Sequence, residues 1–274
     1  MKKNEKNTVK AESIENAAET KQRRRSALLL WTALAATAVC CIGCVLCAMP
    51  TLFSNGWLIP AGQALALLAL WLIGLQAKKP DVSRKMLAIP PLGDCIYAGV
   101  TVAAVLLVSY PLRLLFDRLL SGDGYTSAGL LPLMASPLQA FFCLAIIPAL
   151  LGELGFRVLL RGKADKCFAH PSWKVLFFGA GYLLFFPHLS GAATIVLLGV
   201  ALWHIFAETE SLLLSTVSAL VALCLRLCYE YLRLDLISGG ADMNYAAIFG
   251  QLLLFGGIAA AIFVAALLIR KKTK

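Results

Sequence analysis

Apolar segments long enough to cross a lipid bilayer recur along almost the whole chain. A transmembrane helix needs about 20 consecutive apolar residues, and 60% of the residues here are hydrophobic while 15% are charged. No segment alternates polar and apolar residues as a strand does, and a bilayer excludes open sheets. The sequence therefore predicts an all-α, polytopic membrane helix bundle of about eight transmembrane helices, at residues 27–48, 57–76, 96–116, 137–160, 172–189, 191–208, 211–228 and 245–269.

Basic residues indicate how this bundle is oriented. Lysine and arginine cluster at residues 23–25, 78–85, 161–166 and 270–272. In an eight-helix chain these positions lie on one side, and basic residues accumulate on the cytoplasmic side. The sequence therefore predicts that both termini are cytoplasmic. The formal net charge of +10 follows from this topology, so the lipid bilayer is the expected partner and a nucleic acid is not.

The first residues differ in composition from the rest of the chain. Residues 1–25 are polar, carry charges of both signs and contain no aromatic residue. This composition predicts a mobile, basic cytoplasmic tail, transiently helical over residues 12–19. Residues 26–274 then form a single transmembrane bundle.

Four cysteines cluster in the first apolar segment, at Cys40, Cys41, Cys44 and Cys47. A soft-metal or redox site is one interpretation. The spacing matches no familiar metal-binding knuckle, and no histidine or carboxylate lies nearby. Small packing residues are therefore the favoured interpretation. The sequence identifies no metal site, and any cofactor is unknown.

The fourth apolar segment contains an acid and a base, Glu153 and Arg157. Each charge costs about 2.5–3.5 kcal/mol to insert alone at the centre of a bilayer helix. Four residues apart on a helix, the two side chains share one face and neutralise each other. The pair is compatible with a functional site and with an internal ion pair that fixes helix packing. The neighbouring Gly152 and Gly155 are typical of places where helices approach closely.

The passage 148–157, which reads PALLGELGFR, resembles the first motif of the CAAX-protease and bacteriocin-processing (CPBP, or Abi) intramembrane proteases. That motif has two adjacent glutamates, three mostly apolar residues and an arginine. His188 follows an aromatic stretch, as does the histidine of the family's second motif. Residues 198–199 (LG) and 209–212 (TESL) resemble the short Leu-Gly and Thr-Gly-Ser-Leu segments that lie between the family's last motifs.

The resemblance covers residues 138–228 and implies a location, an activity and a site. The location is a bacterial inner membrane, and the activity is an endopeptidase acting on membrane or lipidated CAAX-type peptides. The catalytic residues it implies are Glu153, Arg157 and His188.

Several positions depart from the family pattern. The first glutamate, to which activation of water is ascribed, is Gly152 here. The histidine and polar residue of the third motif are replaced by Ala219 and Leu223, and the phenylalanine expected four residues before His188 is Leu184. Glycine cannot act as a base, and losing an oxyanion donor costs about 10²- to 10³-fold in rate. The resemblance therefore implies a weakened or inactive protease that still binds membrane or lipidated peptides.

Other functions stay open. His204 and Glu208, four residues apart in the sixth segment, offer replacements for the third motif or metal ligands beside Glu153 and His188. The alternative is then an active endopeptidase with a rearranged site. At a rise of 1.5 Å per residue, Glu153 and His188 differ by about 10 Å in their depth in the membrane. The two side chains can therefore come together only if a helix is tilted or a re-entrant segment lies between them. An interfacial or capping role suits His188 equally well.

A transporter or channel component is a further alternative, because buried charges also line ion paths. Two additional acid–base pairs at helical spacing are Arg113 with Asp117 and Arg226 with Glu230. They lie near the predicted membrane edges, where snorkelling of the long side chains accounts for them.

Overall fold

The computed structural model describes residues 2–47, 57–76, 84–119, 136–168, 170–185, 192–232 and 244–273. Within these ranges all regular structure is helical and no strand occurs, which confirms the all-α prediction. The longer helices are α1 Lys2–Cys47, α2 Leu58–Gln76, α3 Leu92–Leu119, α4 Pro137–Leu159, α5 Arg161–Cys167, α6 Pro171–Gly181, α7 Ala192–Thr209, α8 Leu212–Leu232 and α9 Tyr245–Thr273. Short 3₁₀ helices occupy Arg84–Leu87 and Tyr182–Phe185.

Five stretches in the described ranges are long and apolar enough to cross a membrane, which identifies an integral membrane protein. They are Ala18–Cys44, Leu92–Phe116, Pro137–Leu159, Ala192–Thr209 and Tyr245–Arg270. Two shorter apolar helices, Leu58–Ile73 and Leu212–Cys228, coincide with the second and seventh predicted spans. The fifth predicted span contains α6, which has only 11 residues, and its last residues lie outside the described ranges.

Helix α1 is longer than the sequence predicts. It runs without a break from Lys2 to Cys47, so residue 25 is not a helix boundary. Alanine, glutamate and lysine are good helix formers and occupy much of this region. Near the start of the apolar part, Arg23 donates to the carbonyl of Cys167 at 3.3 Å, which joins α1 to the end of α5. The mobility of residues 1–25 stays a prediction.

Polar residues set several helix ends. The Ser136 hydroxyl accepts from the amide of Gln139, with proline at the next position, which is a favourable start for α4. Between α7 and α8, Glu210 adopts a left-handed φ of 53°, the conformation that ends many helices. The Ser211 hydroxyl then accepts from the amide of Leu214 at 3.2 Å. The two helices are therefore joined by a tight reverse turn.

Helix α7 lies against α3, α6 and α8. Its contact with α6 is backbone to backbone, because a Cβ atom on Gly199 would lie 2.7 Å from the carbonyl oxygen of Gly179. Beside this crossing the rings of Phe178 and Trp203 stack with centroids 4.2 Å apart. Small residues thus bring the helices close, as the glycines in membrane interfaces commonly do.

Helix α4 departs from regular α geometry. Residues Phe142–Ile146 and Leu151–Leu159 are π-helical, separated by the α-helical Ile147–Leu150. Pro148 lies in that intervening turn and has no amide hydrogen to contribute to the helix ladder. Widened π segments occur frequently at functional sites. The second one carries both Glu153 and Arg157.

Arg270, near the end of α9, lies at one end of the bundle. Its Nε donates to Oδ1 of Asp94 at 3.1 Å, and its Nη1 donates to Oε2 of Glu208 at 2.5 Å. Asp94 lies in the first turn of α3, and Glu208 lies in the last turn of α7. Helices α3 and α7 are therefore antiparallel, and α8, which returns after the tight turn, runs in the same direction as α3.

Candidate functional site

Glu153 lies in the interior of the bundle with 0% of its surface exposed. The Tyr182 hydroxyl donates to its Oε1 at 2.6 Å. Its Oε2 accepts from Nη1 of Arg157 and from the Ser215 hydroxyl. The carboxylate therefore receives hydrogen bonds from α4 itself, from the 3₁₀ helix after α6, and from α8. We call Glu153, Arg157, Tyr182 and Ser215 the polar cluster.

Arg157 extends this cluster to α7. Its guanidinium, 1% exposed, also donates to the Ser215 hydroxyl from Nη1 and to the carbonyl of Gly199 from Nη2 at 3.4 Å. Its central carbon lies 6.0 Å from the centre of the Phe206 ring. The ion pair predicted from the sequence is present, and it connects four helical elements. Removing either charge would leave the other buried without its counter-ion, which is strongly destabilising in general.

Gly152 has no room for a side chain. A Cβ atom there would lie 2.2 Å from both Cζ and the hydroxyl oxygen of Tyr182. The phenol ring therefore occupies the space that a glutamate at this position, as in the CPBP first motif, would need. On the next turn, a Cβ atom on Gly155 would lie 2.7 Å from Cδ1 of Leu70 in α2. Both glycines thus allow close packing, as the sequence indicated.

This arrangement limits what Glu153 does chemically. A general base must lie within hydrogen-bonding reach of the water it deprotonates. A carboxylate offers about four lone-pair positions, and Tyr182, Arg157 and Ser215 already use three of them. The carboxylate is also enclosed, because Tyr182 is only 2% exposed. The geometry of the Glu153 carboxylate therefore favours a role in holding the helices together over a role in activating water.

His204 and Glu208 lie in a different part of the bundle from Glu153. The His204 ring is 6.2 Å from that of Tyr97 in α3 and 5.3 Å from that of Phe263 in α9, measured between centroids. Glu208 pairs with Arg270. Helix α7 thus turns Gly199 and Phe206 toward Arg157, whereas His204 faces α3 and α9. The ring contacts of His204 and the salt bridge of Glu208 are therefore made with α3 and α9, away from the polar cluster.

His188 lies outside the described residues. Within the parts of the chain that the structure describes, no three histidine, cysteine, aspartate or glutamate side chains converge as metal ligands would. The clustered cysteines serve helix packing where they are described: a Cβ atom on Gly62 of α2 would lie 2.4 Å from the Cys40 carbonyl oxygen and from Cβ of Cys44.

Sequence reasoning missed two members of the polar cluster, Tyr182 and Ser215. Tyr182 is 29 residues from Glu153 along the chain, and it follows Phe177 and Phe178, which pack in or against the core. A serine inside an apolar helix commonly bonds its own preceding turn, so Ser215 carries no signal of a long-range partner. The one available sign was indirect: a buried ion pair requires additional hydrogen-bond partners.

Comparisons of the chain with protein-family models, with curated proteins and with solved structures give no match.

Proposed function

We propose that this chain is a membrane protein of the CPBP type whose endopeptidase activity is weakened or lost, and which binds membrane or lipidated peptides. The proposal rests on the burial and hydrogen bonding of Glu153. Its carboxylate is fully buried and hydrogen-bonded by Tyr182, Arg157 and Ser215. The neighbouring position, where the family has its first glutamate, is filled by the tyrosine ring.

The proposal includes a topology. Eight membrane-crossing segments with both termini in the cytoplasm put the basic clusters 23–25, 78–85, 161–166 and 270–272 on one side. By resemblance, the membrane is a bacterial inner membrane. Residues 1–25 form the mobile basic tail in this account. The salt bridge of Arg270 with Asp94 and Glu208 then lies at the cytoplasmic end of the bundle.

Peptide binding and peptide cleavage are measured together to test this function. The purified protein in lipid nanodiscs is incubated with fluorescent prenylated CAAX peptides and with a panel of membrane peptides. Anisotropy reports binding and mass spectrometry reports cleavage. We expect at least one peptide class to bind, with cleavage no faster than in empty nanodiscs, because the buried Glu153 carboxylate already accepts hydrogen bonds from Tyr182, Arg157 and Ser215 and is not placed to activate water.

The His188→Ala variant is the matched control, and Glu153→Ala is assayed beside it. Specific cleavage by the wild-type protein that either substitution abolishes would overturn the proposal in favour of an active, rearranged endopeptidase. If no peptide binds, the proposed peptide-binding function is wrong. Substrate-dependent uptake into proteoliposomes, lost on neutralising Glu153 or Arg157, would instead support a transporter.

A further inference from the structure

Basic side chains from two helices lie close together where α1 packs against α5. The two helices are joined by the hydrogen bond from Nη2 of Arg23 to the carbonyl of Cys167, at 3.3 Å. Further cations of both helices surround this contact. We call the four residues of this group the basic patch: Arg23, Arg25, Lys163 and Lys166.

Like charges face each other in the basic patch. The pKa of Lys163 is lowered, first by partial burial and then by the positive charges of Lys166 and Arg25. The two lysines are three residues apart on α5 and share one face of it, whereas Arg25 reaches the same place from α1. Packing α1 against α5 therefore brings cations together, and the resulting repulsion would be offset by a bound anion.

The nearby acidic residues do not neutralise these cations. Asp165, the acid of α5, pairs with Nζ of Lys174 at 2.8 Å and lies 3.9 Å from Nε of Arg161. In the parts of the chain that the structure describes, no salt bridge involves Arg25 or either lysine of the basic patch. Glu19 of α1 is exposed and forms none there either. Three cations are therefore available to an anion from outside the chain.

The basic patch lies at the depth of lipid headgroups. Residues 26–47 of α1 carry no charge, so Arg25 directly precedes the apolar run that crosses the membrane. The apolar span of α4 ends at Leu159, and α5 begins two residues later. Trp173, 63% exposed at the start of α6, is a residue type that is enriched at the membrane–water interface. Two membrane spans therefore end beside the basic patch.

The basic patch belongs to the same end of the bundle as Arg270. The central carbon of Arg161, at the start of α5, lies 5.1 Å from the centre of the Phe206 ring. Phe206 precedes Glu208 by two residues near the end of α7, and Glu208 pairs with Arg270. The basic patch therefore meets the leaflet at this end, which is the cytoplasmic leaflet in the proposed topology.

We propose that the basic patch binds the headgroup of an anionic phospholipid in the leaflet at the Arg270 end. The phosphate lies between Arg25 and Lys163, with Lys166 beside it, so that one lipid joins α1 to α5. Arginine holds phosphate through paired, charge-assisted hydrogen bonds, and lysine adds a point charge. An acyl chain lies along Leu28, which is 68% exposed and neighbours Arg25 on the helix surface. This site is independent of the proposed peptide-binding function.

Lipid binding is measured on the full-length protein, delipidated in a neutral detergent and titrated with phosphatidylglycerol or with phosphatidylcholine. Native mass spectrometry counts the bound lipid. One cation near an anionic lipid contributes a factor of about five, so a patch with three available cations should prefer phosphatidylglycerol by about tenfold or more. Arg25→Gln and Lys163→Gln should each reduce this preference about fivefold. Equal affinity of the wild-type protein for the two lipids overturns the proposal.

Arg24→Gln is the matched control, because it removes the same charge from the neighbouring position of α1. Ser26, 3% exposed, lies on the packed face of this helix, and Arg24 points about 160° away from it at 3.6 residues per turn. The lipid preference of Arg24→Gln should therefore stay close to that of the wild type. An equal loss in Arg24→Gln and Arg25→Gln overturns the proposal, since it would indicate a general attraction between charges. So does inorganic phosphate that displaces phosphatidylglycerol at equal concentration, because it would indicate a site for a soluble anion.

Discussion

Replacing Arg157 with methionine is expected to lower the free energy of unfolding by about 3–5 kcal/mol. The substitution keeps most of the side-chain volume but removes the counter-ion of Glu153, which is 0% exposed. It also removes donors to the Ser215 hydroxyl and to the Gly199 carbonyl. Unfolding of the purified protein in mixed micelles, followed by circular dichroism, measures the loss.

The double variant Glu153→Leu/Arg157→Met is the control for this prediction. It removes both charges, and apolar replacements for a whole buried ion pair are often neutral or stabilising. Tyr182 and Ser215 then lose a partner, at about 1–3 kcal/mol for each unsatisfied group. Because the double variant leaves no buried charge without its counter-ion, we nevertheless expect it to be more stable than Arg157→Met alone. An Arg157→Met protein as stable as the wild type would show that the ion pair does not hold these helices together.

Gly152→Ala is the second substitution with a large expected effect. The added Cβ atom would lie 2.2 Å from Cζ and the hydroxyl oxygen of Tyr182, so the ring must move and its hydrogen bond to Glu153 is lost or strained. Overpacking of this kind costs about 1–3 kcal/mol. Gly152→Glu, which introduces the first glutamate of the CPBP motif, should cost more because it buries a second carboxylate beside Glu153.

A double-mutant cycle with Tyr182→Ala isolates this contact. Once the ring is absent, the three atoms nearest to the added Cβ are gone, so the cost of Gly152→Ala should largely disappear and the coupling should fall within about 0.5–3 kcal/mol. Gly162→Ala is the matched control: no atom lies within 4 Å of its added Cβ, and alanine is the better helix former. Additive costs for Gly152→Ala and Tyr182→Ala would show that the ring does not fill the position.

The sequence predicted the all-helical class because a bilayer restricts which structures can cross it. Long apolar segments gave the all-helical class, and several helix positions agree with the structure to within a few residues. Helix ends were harder to predict. The π-helical turns at Glu153 and Arg157 lie in a helix that is interrupted by Pro148. The periodicity of apolar residues in the sequence does not predict these turns. Helix α6 is only 11 residues long, since a 3₁₀ segment follows at Tyr182.

The candidate site was predicted in part. Glu153 and Arg157 share one face at helical spacing, and the structure confirms that they pair. His204 and Glu208 share the same spacing, but contacts with Tyr97, Phe263 and Arg270 hold them elsewhere. Spacing within one helix reveals a shared face, whereas the elements that this face meets depend on tertiary packing. Tyr182 and Ser215 belong to such elements and therefore escaped prediction.

We infer that Glu153 stabilises the bundle and does not act as a catalytic base. The free energy of unfolding of Glu153→Gln, measured against the wild type in the same micelles, tests it most directly. The amide preserves the shape but leaves Arg157 buried without a counter-ion, so we predict a loss of about 3 kcal/mol. Catalytic groups are commonly retained at the expense of stability. An unchanged or increased stability of Glu153→Gln would therefore contradict the account.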